Sequence, residues 1–363
     1  MKKPYAPQSL PLDSLDWVRF VSLIGPANAE LARYDGILQG ILNPRVLLSP
    51  LTTNEAVLSS KIEGTQASLQ EVLEFEASPD LRTEKREDIL EILNYRKAMQ
   101  LSVDWLKSKP ITLNMIKDVH NTLLDSVRGK DKARGQFRRL QNWIGKPGTP
   151  MEEAMYIPPD PMFLMDHLSN FEKYIHFDEK DRLVQLAIVH AQFEIIHPFL
   201  DGNGRLGRIL IPLFLYEKKA LGSPMFYISE YLESHRDEYY ARLNAITSDG
   251  QWNDWIEFFL KAVLEQAKNN SAKAKAILDL YNAKKDKIMA VTHSQYTVKI
   301  LDTLFKTPIF NMTDFIKISG IPKASATRIL NILKKEEMLA VLHQGRGRSP
   351  GVMAFTKLLK ICG

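Results

Sequence analysis

The stretch HPFLDGNGRLGR, His197 to Arg208, puts a histidine ahead of a loop holding three glycines, an acid, an asparagine and two arginines. Gly202, Gly204 and Gly207 let backbone amides approach an anion closely. Helical periodicity restarts at once in RLGRILI, so the loop feeds a helix N-terminus, with its free N–H groups and partial positive charge. Arg205 and Arg208, three apart, fall on one side of the first turn and suit a clamp on phosphate oxygens. Asp201 is a hard oxygen ligand of the kind that holds Mg2+ together with a nucleotide's phosphates. His197 accepts a proton near neutral pH, which suits deprotonation of an attacking hydroxyl. A plainer reading of the same residues makes His197 the end of a helix before Pro198, with both arginines solvated. GNGRLG also fits G-x-G-x-x-G, but the residues before it read as a helix ending in His-Pro and no βαβ alternation surrounds them, which argues against a dinucleotide fingerprint.

The whole chain bounds the answer. Its 363 residues exceed one small core and predict two or three domains. A composition 45% hydrophobic and 25% charged is that of a soluble globular protein. The best apolar run, ILIPLFLY from Ile209, is 8 residues long, far short of a bilayer span, so no membrane partner is expected. MKKPYAPQSL lacks the apolar core of a signal peptide, and the single cysteine, Cys362, forms neither an internal disulfide nor a thiolate zinc site. A cytoplasmic protein is the expectation. The net charge of +5 is unevenly placed: from residue 291 onward there are 11 Lys and Arg against 4 Asp and Glu, whereas the rest has 37 against 39. The basic excess therefore belongs to one C-terminal module.

Most of the chain reads as helix. NEAVLSSKIEG, from Asn54, has a good N-cap residue at its start and Gly64 as a stop. REDILEILNYRKAMQLSVDWL and DRLVQLAIVHAQFEII carry apolar residues at helical spacing. QNWIGKPGTPMEEAMYIPP, from Gln141, has Pro and Gly near its middle and predicts a short β-hairpin or flap. EQAKNNSAKAKAILDLYNAKKDKIMA suits a helical linker. Beyond it, MTDFIKISG and SATRILNILKKEEM read as two helices, and AVLHQ and VMAF as short strands around the basic loop GRGRSPG. That order resembles a winged helix-turn-helix. The boundaries expected are an N-terminal helical region at 1–110, a core at 111–265, a linker at 266–290 and the winged module at 291–363.

The full string HPFLDGNGRLGR matches without a mismatch the Fic-family motif HPFx[D/E]GN[G/K]RxxR, which fixes nine of twelve positions; a chance match in a chain this long is far below roughly one in a million. The resemblance runs from about Ile111 to Leu264. It implies a mainly α fold, a Fic-type helical core with a small β-hairpin flap, and transfer of AMP from ATP to a hydroxyl on a target protein. It further implies that His197 is the base and that Asp201 holds Mg2+. Gly202, Asn203, Gly204 and Arg205 would cradle the α- and β-phosphates, with Leu206 and Gly207 in the same nucleotide-binding turn, and Arg208 would reach the γ-phosphate. Gly204 follows the AMP-transferring pattern, where a lysine marks a kinase-like variant.

Three further features take their meaning from that resemblance. In Fic enzymes a hairpin pairs with an extended target segment, and Tyr156 and Ile157 are the flap residues expected nearest the site. EYYARL, from Glu238, resembles the segment lining the adenine pocket, with Tyr240 as the contact. SSKIEG contains S-x-x-x-E-G, the inhibitory-helix motif of one Fic class, in which Ser59 and Glu63 would occupy Arg208 and misalign the α-phosphate for in-line attack. The expectation is an autoinhibited protein adenylyltransferase acting on a Tyr, Ser or Thr hydroxyl of a target protein or of itself. Two alternatives stand beside it: a winged-helix DNA-binding regulator whose Fic core senses nucleotide, and an enzyme that removes AMP by using Glu63. Lys323, Arg328, Lys334, Lys335, Arg346 and Arg348 would supply phosphate contacts to DNA from the tail. A homodimer is compatible with all three.

Overall fold

The structure, a computed structural model, describes residues 3–79, 83–125, 127, 131–145, 148–345 and 351–363. Arg346 and Arg348 of the expected basic wing, and Lys146 and Pro147 of the expected flap, lie outside the described residues. With 66% of residues in helix and 3% in strand, the fold is mainly α. In chain order the elements are α1 (Trp17–Gly40), α2 (Pro44–Leu47), α3 (Ser49–Ile62), α4 (Leu69–Ala77), α5 (Arg86–Trp105), α6 (Leu113–Leu123) and α7 (Leu164–Ile175). There follow α8 (Arg182–Ile196), α9 (Asn203–Glu217), α10 (Ser229–Ser234), α11 (Arg236–Asp249), α12 (Trp252–Thr292) and α13 (Thr297–Lys306). The chain ends with β1 (Ile309–Asn311), α14 (Met312–Ser319), α15 (Lys323–Lys335), β2 (Ala340–His343), β3 (Val352–Ala354) and α16 (Thr356–Cys362). No helix among the described residues is long and apolar enough to cross a membrane.

Two compact units emerge. The first comprises residues 3–35, 58–64 and 94–268, and the second 36–57, 65–93 and 269–363, so the divisions fall inside α1, α3, α5 and α12. Residues 36–57 and 65–93 group with the C-terminal elements and not with the rest of the N-terminal region, and the expected helical linker at 266–290 is part of the continuous helix α12.

In the first unit α8 and α9 form the centre. Nearly every residue of both is buried, from Leu183 to Ile196 and from Arg205 to Leu215, which accounts for the unbroken apolar run of ILIPLFL. A helix apolar all round belongs inside a core. Asp181 caps α8, its Oδ1 accepting from Leu183 N at 2.9 Å and Val184 N at 3.0 Å. Trp255 of α12 packs among His190, Tyr239 and Phe259 and donates from Nε1 to Ala187 O at 2.8 Å. Each fully buried Phe, Leu or Ile contributes roughly 1.5–3 kcal/mol, which fixes the α8–α9 junction firmly in place.

In the second unit β3 lies between β1 and β2 in an antiparallel sheet, with Phe310 opposite Met353 and Val341 also opposite Met353. The element order is helix, strand, helix, helix, strand, strand. β1 escaped the sequence reading because PIFN is too short to show alternation. Asn311 caps α14, accepting from Asp314 N at 2.8 Å, and its Nδ2 donates to Ala77 O at 2.7 Å. Asn54 is not the cap of α3, which begins at Ser49. Its side chain instead donates to Cys362 O at 2.8 Å, a tertiary use that sequence pattern does not reveal.

Candidate active site

The site grows from the turn between α8 and α9. His197, the C-cap of α8, takes the left-handed conformation (φ 47°, ψ 60°). That backbone is costly for a residue with a Cβ, and the surroundings hold it. His197 N donates to Phe193 O at 3.0 Å, and Arg138 Nε donates to His197 O at 2.9 Å. Arg138 is itself buried, with its N on Pro198 O at 2.9 Å and Nη2 on Pro159 O at 2.5 Å.

The loop is closed from within by Asn203, whose Oδ1 accepts from Phe199 N at 2.9 Å and whose Nδ2 donates to Phe199 O at 2.8 Å. Its side chain is thus engaged, and what it offers an anion is its backbone N–H in the first turn of α9. Gly202 stands at φ 77°, where a side chain would be strained. Beneath the loop His120 stacks on Phe199 with ring centroids 3.7 Å apart. His120 Nδ1 accepts from Gly135 N at 2.8 Å, so Nε2 carries the proton and donates to Asp201 O at 3.0 Å. Burial holds His120 down at about 4, so the ring is neutral at physiological pH.

Above the loop, the Asp201 carboxylate accepts from Gly202 N at 2.6 Å and lies 3.6 Å from Arg205 Nη2 and 3.9 Å from Lys132 Nζ. Among the described residues no group of three His, Cys, Asp or Glu forms a metal cluster. One carboxylate at a helix start fits Mg2+ only as that ion is held beside nucleotides, with substrate phosphates completing its oxygen shell.

Arg208 lies fully buried in α9 and is gripped by the end of α3. Its Nε donates to Ser59 Oγ at 2.8 Å, and its Nη2 donates to Ser59 O at 2.8 Å and to Glu63 Oε1 at 2.6 Å. Burial works to raise the Glu63 carboxyl, but the charge and hydrogen bond of Arg208, with Arg205 and His197 adding, leave it below its ordinary value. Lys61 pairs with Glu233 at 2.9 Å and ties the same segment to α10. His197 is held at about 4, chiefly by burial and then by Arg138, against the opposing Glu194 carbonyl and the charges of Glu63 and Asp201. It is therefore unprotonated across the neutral range and able to accept a proton.

Of the tyrosine pair on α11, Tyr239 is buried with its hydroxyl 2.9 Å from His190 Nε2, whereas Tyr240 is 41% exposed with the Arg236 guanidinium 5.9 Å from its ring. Among the described residues the expected hairpin is a single antiparallel bridge: Ile144 N donates to Tyr156 O at 2.8 Å and Tyr156 N to Ile144 O at 3.1 Å. Tyr156 Oη donates to Ile195 O at 2.7 Å, and Ile157 is buried with its carbonyl accepting from Tyr5 N at 2.9 Å. Tyr156 is thus tied inward and Ile157 is buried, and the large apolar residues of this region that reach solvent are Leu140, Trp143, Ile144 and Met155.

Residues 21–104 match the Fic/DOC family N-terminal region and residues 110–215 match the Fic/DOC family. The chain belongs to the Fic family. This Fic chain is 28% identical over 207 residues to a protein adenylyltransferase Fic of Drosophila grimshawi, covering 54% of this chain and 38% of that protein. A protein adenylyltransferase Fic of Culex quinquefasciatus is 29% identical over 208 residues, with 54% and 37% covered. The match thus spans well under half the length of these relatives. In fold, the chain is similar over 97% of its length to 98% of a Fic family protein from Desulfovibrio desulfuricans G20, with a TM-score of 0.58 and 18% identity. Fic-1 of C. elegans gives a TM-score of 0.54 at 20% identity, over 69% of this chain and 70% of that one.

Among the residues named from sequence, the structure brings His197, Asp201, Arg205, Arg208, Ser59 and Glu63 into one cluster. Sequence reasoning missed His120, Arg138, Asn142 and Glu194. The first three hold backbone carbonyls of the loop, a role that carries no spacing signal. Glu194 sits three residues before His197, and its being the one acid in LVQLAIVHAQFEII was the available clue.

Proposed function

We propose that this Fic protein is an autoinhibited protein adenylyltransferase, moving AMP from ATP to a hydroxyl side chain of a target protein. The observation that carries this reading is the grip of Ser59 and Glu63 on Arg208, the one arginine of the motif suited to a γ-phosphate. Neutral His197 takes the proton of the target hydroxyl. The freed oxygen attacks the α-phosphorus, the bond to the bridging oxygen of the β-phosphate breaks, and diphosphate departs. Gly202, Gly204, Gly207 and the backbone N–H groups of the first turn of α9 bind phosphate oxygens, Arg205 adding charge. Asp201 would hold Mg2+, which when bound neutralises charge on the phosphates. Tyr240, the exposed member of its pair, lines the adenine side, and the flap backbone aligns the target. With Glu63 on Arg208, a triphosphate enters without its γ-phosphate anchor, and its α-phosphate lies out of line for attack. Incubation of the full chain and of Glu63→Gly with labelled ATP and Mg2+ tests this: label on protein supports it, and labelling by neither protein contradicts it.

The second unit supports a second, separate reading. Helix, strand, helix, helix, strand, strand with a three-stranded antiparallel sheet is the order of a winged helix-turn-helix. We infer that α15 meets DNA phosphates through Lys323, Lys334 and Lys335. Arg328 is already turned to Thr292 O at 3.4 Å, beside the end of α12.

A further inference from the structure

Two glycines of α9, three residues apart, each leave room for a carboxyl. A Cβ at Gly204 would sit 2.2 Å from Glu63 Oε1, and a Cβ at Gly207 would sit 2.2 Å from Glu194 Oε1. Glu63, just past the end of α3, and Glu194, from α8, therefore reach the same face of one helix, and Arg208 interacts with both. Position 207 is one the Fic motif leaves open, and Glu194 lies outside the motif string. The two acids are unlike. Glu63 has the hydrogen bond from Arg208, whereas Glu194 Oε1 is buried with no hydrogen-bond partner.

A buried carboxylate without a partner is expensive, so of two acids facing one guanidinium the paired one carries the charge. Glu194 is accordingly pushed up to about 8, by burial first and by the charge of Glu63, against the pull of Arg208.

We propose that Glu194 is a further phosphate-facing residue: it becomes the counter-ion of Arg208 when Glu63 leaves, and takes up one proton when the terminal phosphate of a nucleoside triphosphate docks there. The proposal rests on the adenylyltransferase reading above. Removing Glu63 removes the negative charge that, alongside burial, raises Glu194, and the pull of Arg208 then favours the ionised form of Glu194. An arriving phosphate restores a neighbouring anion. A carboxylate and a phosphate on one guanidinium repel, and the carboxylate is the one that takes a proton from solvent. No other bond changes. The resulting O–H donates to a phosphate oxygen beside the guanidinium.

The other groups around Glu194 stay silent in the relevant range. Arg208 on α9 is raised far above neutrality, and Glu63 is lowered. On α11, Tyr240 is raised to about 12 and Tyr239 well above its ordinary value. On α8, His190 is held at about 3 and His197 at about 4. Between about pH 7 and 9, Glu194 is the group that changes charge.

The test is calorimetry on full-length Glu63→Gly in EDTA, which prevents turnover, with ATP and with AMP, in buffers of unlike ionisation enthalpy. Binding of ATP should take up a fraction of a proton that is near one around neutral pH and falls toward zero as pH rises past about 8, and affinity should fall by up to about tenfold per pH unit until it levels off above that point. Binding of AMP, which lacks the terminal phosphates, should do neither. The last ionisation of ATP itself lies lower and would release protons, the opposite sign. Zero uptake or net release on ATP binding overturns the proposal, as does an unchanged pH dependence in Glu63→Gly, Glu194→Gln. Should Glu63→Gly bind AMP and ATP at no pH, the adenylyltransferase reading falls and takes this inference with it.

Discussion

Arg208 Nη2 donates to Glu63 Oε1 at 2.6 Å across 145 residues of chain. The guanidinium is buried, while about a third of the Glu63 side chain still reaches solvent (34%). A partner that is partly exposed and sits just past a helix end is one that can leave, and a buried arginine left behind will seek another anion. That asymmetry underlies the predictions.

On the proposed mechanism, in which the imidazole acts on the hydroxyl and not on the phosphates, His197→Ala should abolish AMP transfer in a Glu63→Gly background while leaving ATP affinity within about threefold. The loss in rate should be at least about 10²-fold, as for a general base. Rate and binding measured side by side check this. Undiminished transfer would remove His197 from the chemistry.

The Glu63–Arg208 pair predicts a defined pH dependence. The Glu63 carboxyl is below its ordinary value in the folded protein, so its contribution is fully present above the ordinary carboxylate range and lost as pH falls through the lowered folded value. Wild type should be about 1–2 kcal/mol more stable than Glu63→Gln at neutral pH, a figure kept modest by the exposure of Glu63. The gap should close below about pH 4. Thermal unfolding of the two proteins across pH is the measurement, and a gap that widens in acid contradicts the assignment.

His120→Ala removes both the bond to Asp201 O and the stack on Phe199, and leaves Gly135 N–H unpaired. The expected cost is about 2–4 kcal/mol in denaturant unfolding, with a parallel fall in transfer. A cost below about 0.5 kcal/mol would show that the loop does not depend on this strut.

How much of this was legible in the sequence varies by residue. His197, Asp201 and Arg208 stood in one contiguous string whose residue types have few joint uses, and the apolar runs of α8 and α9 announced a buried pair of helices. Glu63 and Arg208 meet only in three dimensions, and Ser59–Glu63 alone is a pattern many helices share. The start of α3 was misplaced because Asn54 reads as a cap yet serves Cys362 O. Tyr156 and Ile157 carry no outward sign that they face inward, since a lone bridge has too few residues to show alternation. His120 and Arg138 bind backbone carbonyls, and carbonyls are invisible to sequence pattern.

The second unit should bind duplex DNA through phosphates when tested in the full chain. Binding should weaken with salt at a slope of about −0.9 per phosphate contact, and Lys334→Glu, Lys335→Glu should weaken it across unrelated sequences. Fluorescence anisotropy with a salt titration checks this. Salt-independent or absent binding favours a protein-docking role for the module.

The most direct test of the central claim is AMP-transfer kinetics on wild type, Glu63→Gly, Arg208→Ala and the double variant. Freeing Arg208 should raise the rate in Glu63→Gly by about tenfold or more, equivalent to at least about 1.4 kcal/mol off the barrier. The double variant should be no faster than Arg208→Ala alone, because Glu63 acts through that arginine. A Glu63→Gly rate equal to or below wild type, or a gain that survives loss of Arg208, would contradict the account.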